Sequence, residues 1–433
     1  MELNKHIKWC AIQPLTGGMY LGAEKVIGHP AEFILSYPGV GEPIYNKSNN
    51  ELIGGGNEYH LMTYLDKVKR RPEYKVFDRA MFQNDRDINP LILNTRWTLN
   101  PDKELDYTDI DLCVAVPVCS GLSTATIGTD EAKATRNSNM IYISTYALKV
   151  IKPKIYIFEN APTFLSIRGE YVRRELEKLA KETGYSLVYY RTDTMYHDNC
   201  QKRKRTFIIF FNKEFAPQMN YEHIETNIGE YFSRIIDKKD DTELDWEFVN
   251  CINYFIIEYF KRKLGDTWRE QIDHNIFKYI IDNKLWKEIL DFTNDPNTIG
   301  SENHKKYMNH FVEHFNFKLS QGKGVYHALP NLLNNDGKCP AVMFKMVQSC
   351  IHPNKDRLLN MRELLYLMGM PNDFDMQGNP YRCYAQIGQN VPVRTAYWIV
   401  SEALRAYDRE NDLDEPKQLR VFDNIKQQEI DYK

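Results

Sequence analysis

Short apolar runs alternate with helix-like stretches across the first 212 residues of this 433-residue chain. The apolar runs are WCAIQP, EFILSYP, DLCVAVP, KIYIFEN, SLVYYRT and RTFIIFF. Parallel strands are joined by crossover connections, which are usually helices, so this alternation predicts a doubly wound α/β domain with a parallel sheet. Ligands of such sheets bind beyond the carboxyl ends of the strands, and we expect the functional side chains at that edge.

The pattern changes after residue 212. Residues 245–264 and 274–292 carry apolar side chains at helical spacing, which predicts a second, mainly helical domain whose aromatic residues form its core. Two further helices are predicted near MRELLYLMGM and VRTAYWIVSEALRAY. The expected organisation is an α/β domain at 1–212, an inserted domain at 213–335, a segment that completes the first domain at 336–407, and a polar tail at 408–433.

Composition predicts a protein with a conventional core, because 42% of the residues are hydrophobic and 27% are charged. The start, MELNKHIKWC, lacks the basic and apolar regions of a signal peptide. No window of about 18 uncharged apolar residues is present that would cross a membrane. We therefore expect a cytoplasmic protein that is not inserted in a membrane.

The cysteines and the net charge limit the kinds of site. The eight cysteines form no C-x-x-C pair, which argues against a disulfide framework and a zinc ribbon, and no metal site is predicted. The formal charge of −3 gives no general attraction to nucleic acid. A nucleic-acid partner would therefore be held by local basic clusters, such as QKRKR at 201–205.

Four sequence features indicate a catalytic site only when they are considered together. They lie beside predicted strands or near the C-terminus. Each alone has a structural explanation, since a single cysteine is often packing, a Glu-Asn pair often caps a strand, and alternating basic residues often form a solvated face. Their order along the chain favours a shared site. The features are Pro117-x-Cys119, Glu159-Asn160, Gln201-x-Arg203-x-Arg205, and YAQIGQNVPVRTA at 384–396.

With these features the chain resembles the DNA (cytosine-5)-methyltransferase family, as a divergent member of the restriction-modification or phage type. PVCSGLS is similar to the family's Pro-Cys loop, FENAP to its Glu-Asn-Val motif, and NCQKRKRTFIIFF to its Gln-x-Arg-x-Arg strand. RLLNMRELLYLMGMPNDF (357–374) and QIGQNVP (386–392) resemble two further motifs. The match spans nearly the whole chain except 213–335, and it implies the Rossmann-like sheet of S-adenosylmethionine-dependent methyltransferases, with a target-recognition domain at 213–335.

The resemblance implies four catalytic residues. Cys119 would be the nucleophile that adds to carbon 6 of cytosine, which makes carbon 5 reactive towards an electrophile. Glu159 would hold a proton at nitrogen 3 of the base, and burial of a carboxyl group raises its pKa in the required direction. Arg205 would hold the carbonyl oxygen at position 2, and Arg203 would help to place the loop and the ring.

The same resemblance implies that the target cytosine is flipped out of double-stranded DNA, because a base inside the duplex is out of reach of such a pocket. The loop after Cys119 would close on the DNA. Ser120 stands where the family usually has glutamine. The residues expected to contact DNA are Ser120, Gly121, Ser123, Asn160 and Gln201, and the protein is expected to act as a monomer.

Departures from the family pattern gather on the cofactor side. The first loop, QPLTGG, has Gln13 in place of an aromatic residue and Leu15 in place of the first glycine. The stretch FILSYPGVGEP offers no carboxylate for the ribose hydroxyls before Glu42. The residues expected to bind S-adenosylmethionine, or a modified derivative, are Leu15, Thr16, Gly17, Gly18, Asn94, Pro117, Gln389 and Asn390.

Three explanations of these departures remain open at the level of sequence. The chain is a divergent methyltransferase, an enzyme that uses a modified donor to install a larger group on cytosine, or a homologue that has lost turnover and binds DNA. A further alternative is that the substrate is RNA, because one branch of the family acts on transfer RNA. The size of the region at 213–335 favours DNA.

Overall fold

A computed structural model describes most of the chain. The described residues are 6–36, 41–50, 52–76, 108–117, 122, 139–220, 223–234, 251–272, 276–295, 331–342 and 350–409. The predicted polar tail lies outside them beyond residue 409.

A seven-stranded sheet forms the centre of the α/β fold, as predicted. Its strands are β1 (Trp9–Ile12), β2 (Phe33–Ser36), β3 (Glu73–Val76), β4 (Leu112–Ala115), β5 (Ile155–Asn160), β6 (Ser186–Asp193) and β7 (Lys204–Phe211). Their spatial order is β3-β2-β1-β4-β5-β7-β6. The order reverses direction between β1 and β4, which is the switch point where doubly wound sheets bind their ligands.

One strand differs from the expected all-parallel arrangement. Strand β7 is antiparallel to both of its neighbours, β5 and β6. Residues 194–203, which connect β6 to β7, are too few for a helical crossover, which takes a dozen residues or more. Strand β3, with the sequence EYKV, was not among the predicted strands and lies at the edge of the sheet.

The central strands are buried on both faces, which explains their continuous apolar sequences. Every residue of β1, β4 and β5 is buried. Alternate residues of β5 enter two separate cores: Ile155 and Ile157 pack in one, and Tyr156 and Phe158 in the other. Glu159 and Asn160 end this strand, so the polar pair begins where the two cores end.

Helices cover both faces of the sheet. Those of the first 212 residues are α1 (Gly18–Ile27), α2 (Tyr59–Lys67), a helical stretch at 139–146 that continues as the π-helical turn Ala147–Ile151, and α3 (Glu170–Thr183). In the region predicted as a helical insertion lie α4 (Ile228–Ser233), α5 (Cys251–Leu264), α6 (Trp268–Gln271), α7 (Ile276–Asp282) and α8 (Trp286–Asn294). The C-terminal segment contains α9 (Met361–Leu367), α10 (Pro380–Gln389) and α11 (Val393–Asp408).

The C-terminal segment returns to the α/β fold, because α11 packs along α1 with Ala396, Ile399 and Val400 buried. The helices of the insertion pack on the segment that precedes α9. Arg269 donates to the carbonyl oxygens of His352 and Pro353, each at 2.9 Å, and pairs with Asp356. Apolar residues of α5 and of α9 belong to one core, so the described part of the insertion is packed continuously with its surroundings.

Short two-stranded ladders connect the insertion and the C-terminal segment to the sheet. Three are parallel, pairing Gln201–Lys202 with Cys339–Pro340, His197–Asn199 with Ile224–Glu225, and Asn331–Leu332 with Cys350–Ile351. An antiparallel ladder pairs Pro43–Tyr45 with Leu52–Gly55. Among the described residues, no helix is long and apolar enough to cross a membrane.

Candidate active site

The loop that contains Cys119 begins beside the end of β5. Ala115, the last residue of β4, pairs with Phe158, the neighbour of Glu159. Cys119 itself lies outside the described residues, two positions after the buried Pro117, and two extended residues span at most about 7 Å. Farther along, the carbonyl oxygen of Leu122 accepts a hydrogen bond from Thr163 Oγ1 at 2.5 Å. The described residues on the two sides of Cys119, Ala115 and Leu122, thus contact Phe158 and Thr163, which are one and four residues from Glu159 in the sequence.

Glu159 and Arg205 form an ion pair at this edge of the sheet. The distance from Arg205 Nε to Glu159 Oε1 is 2.6 Å. The pairing of Phe207 with Glu159 places Arg205, two residues earlier in β7, on the same face as the carboxyl group. Only 4% of Glu159 is exposed. Burial raises the pKa of Glu159 above its ordinary value, although the nearby charges of Arg205 and Arg203 act in the opposite direction.

Arg203 lies deeper than Arg205 and binds the protein itself. Its Nη2 donates to the carbonyl oxygens of Gly388 at 3.0 Å and Asn390 at 2.8 Å, and its Nη1 donates to that of Val342. Its backbone N–H donates to Asp193 Oδ1 at 2.8 Å. With 1% of the residue exposed, the guanidinium fixes the turn between α10 and α11 relative to β7. These contacts make Arg203 a positioning residue.

Two residues predicted to touch DNA are buried in the structure. Gln201 is 0% exposed, and its Oε1 accepts from the backbone N–H of Val342 at 3.0 Å. Asn160 is 0% exposed, and its Oδ1 accepts from the N–H of Ala161 at 2.9 Å. In both cases the side chain orders an adjoining loop, and contact of these two residues with DNA stays a prediction. Lys202 and Lys204 are exposed, and they alternate in the sequence with the buried residues Gln201 and Arg203.

The first loop after β1 packs against the turn between α10 and α11. The Oγ1 of Thr16 donates to the carbonyl oxygen of Gln386 at 3.0 Å, and the N–H of Gly18 donates to Asn390 Oδ1 at 2.8 Å. A Cβ on Gly18 would lie 1.6 Å from the carbonyl oxygen of Val391, so only glycine allows this approach. Gly17 has a φ of 105°, which favours glycine for its backbone conformation.

The other residues predicted on the cofactor side have varied positions. Leu15 is partly buried with a φ of 53°, Pro117 is buried after β4, and Gln389 is exposed at the end of α10. Asn94 lies outside the described residues, as do Ser120, Gly121 and Ser123 of the predicted DNA contacts. Of these residues, the structure brings Gly18 into direct contact with Asn390, and Thr16 into contact with Gln386 one helical turn earlier.

A carboxyl group that the sequence pattern did not indicate lies at the end of β2. Glu58, which precedes α2, accepts a hydrogen bond on Oε1 from Ser36 Oγ at 2.5 Å. Its Oε2 accepts one from the hydroxyl of Tyr74 at 3.1 Å. Burial raises the pKa of Glu58 to about 8, against the opposing effect of these two hydrogen bonds. Glu58 is 22 residues from Ser36 in the sequence, so no local motif reveals the contact.

The arrangement suits covalent chemistry on a planar, polar ring. A buried carboxyl group with a raised pKa and a guanidinium provide hydrogen-bonding groups at fixed positions, and Glu159 is almost completely shielded from water, a condition in which such groups act most strongly. A thiol beside them would provide the nucleophile. Among the described residues, no cluster of histidine, cysteine, aspartate or glutamate has the arrangement of a metal site.

Comparison with known proteins identifies the family of the chain. A sequence model of C-5 cytosine-specific DNA methylases matches residues 93–405. DNA (cytosine-5)-methyltransferase 3 of Arabidopsis thaliana is 21% identical over 376 residues, a match that covers 74% of this chain and 25% of that protein. The type II methyltransferase M.PspPI of a Psychrobacter species is 22% identical over 323 residues, which cover 71% of this chain and 68% of that one.

A solved structure supports the same fold. It is described as that of a DNA modification methyltransferase encoded within an E. coli prophage, with a TM-score of 0.50 and 16% identity, and the match covers 92% of this chain and 99% of that one. Since the family model spans most of the sequence and includes the strands that bear Glu159 and Arg205, the chain belongs to the C-5 cytosine-specific DNA methylases, a family of transferases.

Proposed function

We propose that the protein transfers a methyl group from S-adenosylmethionine to carbon 5 of a flipped cytosine in double-stranded DNA, through a covalent bond to Cys119. The observation that carries this proposal is the buried Glu159–Arg205 pair, with an Nε–Oε1 distance of 2.6 Å, at the edge where the loop of Cys119 begins. Both side chains would face the same edge of the base, and each would supply a directed donor.

The reaction begins when the thiolate of Cys119 adds to carbon 6 of cytosine. Electron density moves towards nitrogen 3 and the oxygen at position 2, where Glu159 gives a proton or shares one and Arg205 donates hydrogen bonds. Carbon 5 is then nucleophilic. The bound donor would supply a methyl group from its sulfonium sulfur, which would leave as a neutral thioether when the bond from carbon 5 to the methyl group forms. Loss of the proton from carbon 5 and expulsion of the thiolate restore the aromatic ring and free Cys119.

The raised pKa of Glu159 supports its part in this scheme. The direction of this shift favours the protonated form, which can donate to nitrogen 3, whereas an ionised carboxylate would repel the electron density that builds there. Arg205 lies close enough to orient the carboxyl group and, being always charged, to hold the base oxygen at the same time. Arg203 acts indirectly by holding the turn at 388–390.

Burial of Glu159 requires that the base leave the duplex to reach it. Ser120, Gly121 and Ser123, in the loop after Cys119, are proposed to close on the DNA once the base is flipped. Lys202 and Lys204 are exposed next to this site and are suited to phosphate contacts. We propose that one copy of the chain binds one site, and that the region at 213–335 contributes to target recognition.

The residues on the cofactor side fit S-adenosylmethionine. The loop at Leu15–Gly18 lies at the carboxyl end of β1 and would hold the amino-acid part, with Pro117 and Asn390 beside it. Gln13 Oε1 is buried and has no hydrogen-bond partner among the described residues, which leaves an acceptor for an ammonium group. Asn94 and Gln389 would complete the site.

DNA containing 5-fluorocytosine tests the covalent step, because fluorine at carbon 5 blocks the final elimination. With S-adenosylmethionine, the wild-type protein is expected to form a stable adduct that survives denaturation, and Cys119→Ser is expected to form none. A matched control is Cys383→Ser, which alters a buried thiol beside His60, away from the Glu159–Arg205 pair. An adduct of Cys119→Ser, or none with the wild type, would contradict the mechanism.

Mass spectrometry of nucleosides from DNA of expressing cells identifies the transferred group. The proposal predicts 5-methylcytosine. A heavier cytosine adduct would show that a modified donor is used. If the DNA is unmodified but still binds to the protein, the protein is a homologue that binds DNA without modifying it. Modification found only in RNA would overturn the proposed substrate.

A further inference from the structure

Glu58 has an environment that ordinary structural roles do not explain. Only 1% of the residue is exposed, yet no lysine or arginine among the described residues forms an ion pair with it. It precedes the first turn of α2, but its side chain makes no capping hydrogen bond to the helix. Burial of a carboxyl group without a cation costs free energy. Because Glu58 has neither an ion pair nor a helix-capping role among the described residues, its burial suggests that it binds a ligand.

The position of Glu58 in the fold indicates what it would bind. Ser36, its partner at 2.5 Å, is the last residue of β2, and Tyr74, its other partner, belongs to the neighbouring strand β3. In doubly wound sheets with a nucleotide at the carboxyl edge, the phosphate or amino-acid end lies over β1 and an acidic residue near the end of β2 accepts the ribose hydroxyls. Here β2 ends in serine, and the carboxyl group comes from α2 instead.

The hydrogen-bonding capacity of the group fits this task. Each carboxylate oxygen can accept two hydrogen bonds, and in the structure each accepts one, from Ser36 and from Tyr74. When Glu58 is ionised, these contacts among the described residues leave one acceptor site on each oxygen, which matches the two adjacent hydroxyls of a ribose. Gln386 holds the preceding residues in place, because its Nε2 donates to the carbonyl oxygens of Gly55 at 3.0 Å and Gly56 at 3.2 Å.

We propose that Glu58 accepts hydrogen bonds from the ribose hydroxyls of the adenosyl donor, in place of the acidic residue that is missing from the end of β2. This inference rests on the proposed use of S-adenosylmethionine. Ser36 and Tyr74 then act as positioning residues, since each fixes one oxygen of the carboxyl group. The helix α2 thereby contributes to a site that the loop after β1 forms from the other side.

Calorimetric binding of S-adenosylhomocysteine tests the proposal without any turnover. At about pH 9, above the pKa of about 8 that burial gives Glu58, the wild type is expected to bind the analogue that lacks both the 2′- and 3′-hydroxyls about 10- to 100-fold more weakly, because the ionised carboxylate makes charge-assisted hydrogen bonds. In Glu58→Gln that preference for the hydroxyls is expected to fall to a few-fold. The matched control is Glu24→Gln, which changes a buried glutamate of α1 that pairs with Arg70 at 3.2 Å, and which should keep the wild-type preference.

Ser36→Ala provides a second variant in case Glu58→Gln does not fold. It removes the hydrogen bond that fixes Oε1 of Glu58 but keeps the carboxyl group, so the preference for the hydroxyls should fall by about three- to ten-fold relative to the wild type. A preference that is unchanged in Glu58→Gln, or in Ser36→Ala when Glu58→Gln does not fold, would overturn the role of Glu58. If the wild-type protein binds neither ligand, the proposed donor is wrong and the role of Glu58 falls with it, whereas binding without any dependence on Glu58 leaves the proposed donor standing.

Discussion

Arg205 and Glu159 lie on antiparallel neighbouring strands, and the Nε of the first is 2.6 Å from Oε1 of the second. Neither strand alone would place these groups. The antiparallel direction of β7 brings the start of that strand, rather than its end, to the edge where β5 ends. The ion pair is therefore a product of the strand of the seven-stranded sheet, among the described residues, that departs from the parallel pattern.

Replacement of Glu159 by glutamine should separate its chemical role from DNA binding. Glutamine keeps the size of the side chain and one amide donor but cannot transfer a proton. We expect kcat/KM to fall by about 10²- to 10³-fold, as when a single donor to a developing charge is removed. DNA binding measured by fluorescence anisotropy should stay within about three-fold of the wild type, since one buried hydrogen-bonding group changes. Equal losses in binding and turnover would argue that Glu159 serves only the fold.

Loss of Arg203 should destabilise the fold more than loss of a neighbouring basic residue. Arg203→Ala removes a donor from the carbonyl oxygens of Val342, Gly388 and Asn390, and we expect the free energy of unfolding to fall by about 3 kcal/mol. The control Lys202→Ala alters an exposed side chain and should change it by less than about 0.5 kcal/mol. Urea unfolding followed by circular dichroism measures both, and similar values for the two variants would refute the positioning role.

Two glycine substitutions test the close approach of the first loop to the C-terminal segment. In Gly18→Ala the new Cβ would lie 1.6 Å from the carbonyl oxygen of Val391, so the backbone must move, and a loss of about 3 kcal/mol is expected. Gly28→Ala meets no atom within 4 Å and carries only the strain of its φ of 92°, about 1 kcal/mol. Thermal unfolding should rank the variants in that order, and the reverse order would contradict the packing described.

The pH dependence of stability should reflect Glu58. Its pKa is about 8 in the folded protein, against an ordinary value of 4.5, so between these values the folded state holds a proton that the unfolded state releases. The contribution of Glu58 is therefore fully present below about pH 4.5 and is lost as the pH rises through about 8. We expect the melting temperature of the wild type to fall relative to Glu58→Gln over this range. Parallel curves for the two proteins would show that the carboxyl group is not held in its protonated form.

Local sequence patterns sufficed for most of the sheet, because the apolar runs of β1, β4, β5 and β7 are buried on both faces and stand out from their surroundings. Strand β3 was missed since EYKV carries two charged residues, as an edge strand can. The direction of β7 was also missed, although the ten residues from 194 to 203 were a usable signal, being too few for a crossover.

For the site, motif order predicted that Glu159 and Arg205 act together, and their ion pair is consistent with this. The same motifs did not distinguish side chains that face the pocket from those that hold it, since Gln201 and Arg203 alternate with Lys202 and Lys204 in one short stretch. Glu58 was beyond prediction, because its partners Ser36 and Tyr74 are brought to it only by the assembled sheet.

Asn390 accepts hydrogen bonds from two different parts of the candidate site. Its side chain accepts from the loop that would hold the donor, at Gly18, and its carbonyl oxygen accepts from Arg203 at the start of the strand that would hold the base. A ligand that shifts this turn from either direction must change affinity at the other side, and by thermodynamic reciprocity the two changes are equal. Donor and cytosine would then report on each other through this one residue, which joins the loop after β1 to the start of β7.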